Sequence, residues 1–179
     1  MRKTIVLLSA LIFVAFSMNS CFDNTGYQST PFIDFGYAYV NPQFGDDTTF
    51  LGGEDTLFSH YNEELEQEYW DTLQLGDTLM VPAYFSSFMN NLVSVVANYD
   101  TARVDLWFDL NLEDEDIKKA ISTSSNIEKG ILIFNPMFCE AIFPVYVVPQ
   151  EAGAHTIKIT VTSDSEFPTN FIRFTLPVK

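Results

Sequence analysis

The chain has 179 residues, 24 acidic against 9 basic, for a net charge of −15, and 47% of it is hydrophobic. So acidic a body repels nucleic acid and anionic lipid head groups, which excludes nucleic-acid binding. Two cysteines and two distant histidines leave no basis for a Cys/His zinc site, while 17 Phe can fill the core of a single domain.

In chain order the leader comes first. Arg2 and Lys3 precede an almost unbroken apolar run, Ile5 to Phe16, and then Ser17-Met18-Asn19-Ser20-Cys21. A basic start, a short apolar stretch and a small residue at the cut describe a secretory signal peptide. The run is too short for a permanent anchor, since a spanning helix needs about twenty apolar residues. Met18, Ser20 and Cys21 fit a bacterial lipobox, with an apolar residue three before the cysteine and a small one directly before it. The sequence thus predicts a signal peptide over residues 1–20, lipid attachment at Cys21, a lipidated tether over 21–30 and one domain over 31–179. The acyl chains would anchor the protein firmly, because each buried methylene contributes about 0.8 kcal/mol. With Cys21 acylated, Cys139 stands outside any disulfide, and its apolar neighbours Phe138, Ala141 and Ile142 predict a buried, inert thiol.

Strand signals dominate the rest. Phe32 to Val40 reads as one strand with Ile33, Phe35, Tyr37 and Tyr39 on one face. Leu73 to Val81 reads as two short strands about a tight turn at Gly76-Asp77. Leu92 to Tyr99 is rich in β-branched residues, and Val104, Leu106, Phe108 and Leu110 alternate with polar neighbours. Gly130 to Phe134 and Ile142 to Val148 are apolar enough for central strands. In the last hairpin Ile157, Ile159 and Val161 alternate with polar residues, as do Ile172, Phe174, Leu176 and Val178 after the turn. One dry and one wet face per strand suit an antiparallel sheet on a single core. Eight or nine such strands predict an all-β, antiparallel, immunoglobulin-like sandwich.

One short helix fits Glu113 to Lys119, acidic at its start and basic at its end, as the helix dipole favours. Asn62 to Trp70 is either a weaker helix or an extended acidic loop, because Glu63, Glu64, Glu66 and Glu68 repel one another. Asp55-Thr56-Leu57, Asp71-Thr72-Leu73 and Asp77-Thr78-Leu79 echo one another, at spacings too irregular for a repeat fold. In each, the Asp can close a turn and the Thr-Leu can start a strand.

The relaxed lipobox at Met18-Asn19-Ser20-Cys21, the brief polar tether Phe22-Asp23-Asn24-Thr25-Gly26 and the sandwich signals together resemble small lipoproteins of gut-associated Bacteroidota. That resemblance implies an outer-membrane lipoprotein with an immunoglobulin-like domain and carries no catalytic motif. Acidic residues just after the cysteine favour surface display in that group. Here Asp23 stands alone, so the cell surface and the periplasmic face both remain open.

Candidate chemistry is sparse. From Cys21 to Asp116 the charge is −18, and from Ile117 to the end it is +1; the excess acid serves solubility or cation binding. Asp109-Leu110-Asn111 opens like a calcium loop, but Asp114 and Ala120 stand where the helix–loop–helix pattern needs Gly and Glu. A different oxygen-rich calcium site from Asp109, Asn111, Asp114 and Asp116 is the only cofactor candidate. The opposing reading is a solvated helix start.

Trp107 is the sharper candidate. With its even-numbered neighbours inward, Trp107 faces outward between Asp105 and Asp109, the arrangement of a sugar-binding surface. The opposing reading is that another strand, or the Tyr61 to Trp70 segment, covers it. Tyr69-Trp70 and Phe85-Ser86-Ser87-Phe88 are secondary aromatic candidates. His60 and His155 lie in no nucleophile or metalloprotease motif. The reading is a membrane-anchored, non-catalytic binding or structural module of the cell envelope, its partners the membrane and a glycan or another envelope protein. The alternatives are a glycan-binding accessory using Trp107, Asp105 and Asp109, and a glycan-directed hydrolase using paired carboxylates.

Overall fold

The computed structural model describes residues 29–45, 49–64 and 67–179. The leader, Cys21 and the tether up to residue 28 lie outside the described residues. The described residues fold as an all-β sandwich of mainly antiparallel strands, with one short α-helix among them.

One sheet holds β1 (Phe32–Phe35), β2 (Ala38–Val40), β5 (Asp55–Leu57), β8 (Leu79–Ser86), β10 (Val104–Phe108) and β12 (Glu140–Pro149), in the order β10-β12-β8-β2-β5 with β1 also on β8. The other holds β6 (Ser59–Asn62), β7 (Gln67–Trp70), β9 (Leu92–Asn98), β11 (Ile131–Ile133), β13 (Gly153–Ser163) and β14 (Thr169–Val178), in the order β11-β9-β13-β14-β7-β6. Only the β7–β14 pairing is parallel among these strands. A two-stranded hairpin, β3 (Gln43–Phe44) with β4 (Phe50–Gly52), stands apart from both. The described strands exceed eight or nine because the N-terminal half contributes several of only two to four residues.

The core forms where the alternating patterns place it. Val81, Ala83 and Phe85 of β8, Leu106 and Phe108 of β10, and Phe143 and Val145 of β12 meet Ile157, Ile159, Phe174 and Leu176 from the facing sheet. Phe143 stacks on Phe85 at 4.9 Å and tilts against Phe108 at 5.1 Å, while Phe174 meets Phe35 and Trp70 edge-on. Cys139 is a buried thiol, in line with its apolar neighbours.

Four expectations are corrected. The strand over Phe32 to Val40 breaks at Gly36-Tyr37 and changes phase, so that Ala38 and Val40 face inward and Tyr37 is exposed. The cause is Pro82, which pairs with Pro144 in the middle of the sheet. Neither proline has an N–H to donate, and each faces an outer neighbour where that neighbour stops. The Pro82 carbonyl takes the Gly36 N–H at 2.8 Å in the β1–β2 gap, and the Pro144 carbonyl takes the Asp109 N–H at 3.0 Å just past β10.

Leu73 to Val81 is not a hairpin. Leu73 bridges Val178 in parallel, extending the β7 track beside β14, and Asp77 closes the turn by accepting the Gln74 N–H at 2.9 Å. Asn62 to Trp70 holds a strand, Gln67–Trp70, in place of a helix or an extended loop, and that strand pairs antiparallel with Ser59–Asn62. Ile131–Ile133 is a three-residue edge strand, not a central one. Gly130 precedes it with φ of 64°, and a Cβ there would come within 2.6 Å of Leu106 Cδ2 and 2.8 Å of Ala97 Cβ. Only glycine fits that turn over the core.

Candidate functional site: an aromatic edge

Strand β10 is the outermost strand of the first sheet, and its alternation divides it cleanly. Val104, Leu106 and Phe108 are buried in the core, Asp105 is exposed and Trp107 is half-buried on the outer face. Register sets Trp107 opposite Tyr146 of β12, which itself lies opposite Met80 of β8, and Met80 opposite Tyr39 of β2. A band of large side chains thus crosses the outer face from the β10 edge inward. Phe50 of the β3–β4 hairpin meets Tyr39 at 4.8 Å at its inner end.

Trp107 and Tyr146 are stacked with centroids 5.0 Å apart and planes within 3°. One indole face is therefore taken by Tyr146, on the β12 side, and among the described residues β10 has no further strand beyond it. Aromatic pairs of this kind contribute about 0.5–1.5 kcal/mol beyond burial. Trp107 is thus partly covered, by Tyr146 rather than by the Tyr61 to Trp70 segment, which sits in the other sheet.

The two flanking acids differ. Asp105 Oδ2 accepts from Gln150 Nε2 at 2.8 Å. Asp109, just past the strand, has its carboxyl raised above the ordinary range by partial burial, with no neighbouring donor or cation to offset it among the described residues. Burial also pushes the Tyr146 phenol up to about 12, and the Asp109 charge adds to that shift. The carboxylate, exposed but partly desolvated, and the stacked rings therefore share one corner of the outer face. Such a corner can take the apolar face of a ring while Asp109 accepts a hydroxyl proton.

Asp105 and Asp109 are four residues apart, about 13 Å between backbones where the chain is extended. Trp107 stands between them.

Three of the four calcium candidates, all but Asp109, are engaged elsewhere. Asp114 caps α1 (Glu115–Ala120), accepting from the Asp116 and Ile117 N–H groups at 2.8 and 3.4 Å. Asp116 pairs with Lys119 at 3.3 Å, and Asn111 Oδ1 accepts the Glu113 N–H at 3.2 Å. Among the described residues no three His, Cys, Asp or Glu side chains gather where they could hold a metal ion. The acidic stretch is spent on starting a helix whose Ile117 and Ala120 are buried.

Of the secondary aromatic candidates, Trp70 and Phe85 lie in the core and only Phe88 is strongly exposed. His60 is exposed and meets Asp71 at 3.1 Å, while buried His155 meets the Glu151 carbonyl at 2.7 Å. Tyr146 is the site residue that sequence reasoning missed. Its strand, Glu140–Pro149, is apolar on both faces, so nothing in its alternation marks which residues point outward.

No family model matches the chain, and no curated protein matches it. Among solved structures it is similar to a family 123 glycoside hydrolase from Clostridium perfringens, described for glycolipid glycan hydrolysis, at a TM-score of 0.35 and 12% identity. That alignment covers 84% of this chain and 27% of the hydrolase chain, so this chain spans about a quarter of its length. At that score the likeness carries no argument.

Proposed function

We propose that the protein is a lipid-anchored module of the bacterial cell envelope that binds or braces a partner and catalyses nothing. The observation that carries this reading is the order of the leader: Arg2-Lys3, the apolar run Ile5 to Phe16, then Ser20-Cys21. The fold supports it, because the first strand opens at Phe32, only eleven positions after the cysteine. The test is metabolic labelling with a traceable fatty acid. Wild type takes up label and fractionates with membranes, whereas Cys21→Ser does neither; label in both, or in neither, contradicts the anchor.

A second reading concerns the ligand. The Trp107–Tyr146 stack at the sheet edge, with the partly desolvated Asp109 beside it, favours a saccharide held on the outer face of the first sheet. Asp105, already engaged by Gln150, would contribute less.

A further inference from the structure

The chain joins the sandwich at one end, and that end carries exposed apolar side chains. Phe32 lies opposite Ser86, and Asn170 Nδ2 donates to the Pro31 carbonyl at 2.9 Å, so Pro31 and the start of β1 lie beside the β8–β9 turn and the start of β14. Residues 87–91, 134–139 and 164–168 form the loops of this same end. Asn91 ties the three together: its N–H and Nδ2 donate to the two Asp164 carboxylate oxygens at 2.7 and 2.6 Å, and its Oδ1 accepts the Met137 N–H at 2.9 Å.

One large apolar side chain projects from each loop, Phe88 at 51%, Met137 at 63% and Phe167 at 53% exposure. Phe88 and Met137 have φ of 60° and 99°, a left-handed conformation that bulky residues rarely adopt. Strain of this kind persists only where the surroundings enforce it, and it concentrates at binding surfaces. Here the Asn91 hydrogen bond to Met137 helps enforce it.

We propose that this end of the sandwich rests on the lipid bilayer, with Phe88, Met137 and Phe167 seated at the boundary between head groups and acyl chains. The inference rests on lipid attachment at Cys21. Chain length selects the occupant: Cys21 precedes Ser29 by eight residues, a reach of at most about 29 Å. Strand β13, with eleven residues, makes the sandwich about 36 Å long. The anchor therefore keeps the Phe88 end within that reach of the membrane, with the opposite end a further strand length away along the sandwich. Asp164 and Glu166 lie among the apolar tips, so the matching surface is zwitterionic.

The test uses full-length protein, processed and lipidated in cells, then placed in phosphatidylcholine vesicles with or without brominated acyl chains. Single tryptophan reporters are introduced as Met137→Trp, Phe167→Trp and, at the opposite end, Leu75→Trp, each in a Trp70→Phe, Trp107→Phe background. Bromine should quench the Met137→Trp and Phe167→Trp proteins and leave Leu75→Trp unchanged. Phe167→Trp carries the test if Met137→Trp fails to fold. Lipidated protein with no quenching at the tip, or equal quenching at both ends, overturns the docking and leaves the anchor standing. Protein that takes up no acyl chain overturns the anchor, and the docking with it.

Discussion

The two tryptophans sit on opposite sides of the sheets that carry them, and the contrast separates what holds this protein together from what it can present. Trp70 ends a four-residue strand in the second sheet, is 4% exposed and packs edge-on against Phe174 in the core. Its indole nitrogen has no hydrogen-bond partner among the described residues, a cost accepted for the apolar contact the ring makes. Trp107 lies on an edge strand and turns outward, half-buried, with one face on Tyr146. The first ring fills space between sheets. The second offers a surface, beside a carboxylate that the fold partly desolvates.

Substitutions should separate these two roles, with the largest effects on the inner side. Trp70→Ala should lower stability by about 3–5 kcal/mol, as large aromatic deletions in cores do, read as the shift in a denaturation midpoint. Gly130→Ala should follow at about 2–4 kcal/mol, because it combines a left-handed backbone with overlap onto Leu106 and Ala97. Trp107→Ala should cost only about 1 kcal/mol, the scale of the lost pair with Tyr146. A Trp107→Ala loss equal to that of Trp70→Ala would erase the distinction.

The smallest effect has the opposite sign. The Asp109 carboxyl is raised in the folded protein, so its charged form is disfavoured there relative to the unfolded chain. Its protonated form favours folding at low pH, and that contribution is lost as pH rises from the unfolded value through the folded one. Asp109→Asn should therefore raise the melting temperature slightly at pH 7 and make no difference at pH values below the ordinary aspartate range. The same change should bring the Tyr146 phenol down from about 12 in a spectrophotometric titration, since the carboxylate charge contributes to its rise. A variant that stabilises the fold while weakening ligand capture is the signature of a residue kept for binding.

How much of this was legible in the sequence depended on where each cause lies. Strand β10 and the final hairpin alternate strictly, so their inner and outer residues could be assigned from spacing alone. Helix α1 was legible from its charge order, and Asp114 emerged as the cap once the backbone was in place. The break at Gly36-Tyr37 was not legible, because Pro82, more than forty residues later, causes it. Asn62 to Trp70 misled for a related reason: crowded glutamates argue against a helix, but the strand is held by a parallel partner at the far end of the chain. Trp107 was singled out from its own strand, whereas Tyr146 needed the register between β10 and β12.

The most direct measurement concerns the outer face itself. In Trp70→Phe protein, Trp107 is the sole tryptophan, and its emission can be followed against a panel of neutral and acidic oligosaccharides. A working outer face predicts saturable quenching or a blue shift with at least one member of the panel, weakened by Asp109→Asn and abolished by Tyr146→Ala. Emission that stays unchanged across the panel in folded protein would contradict the saccharide reading of this face.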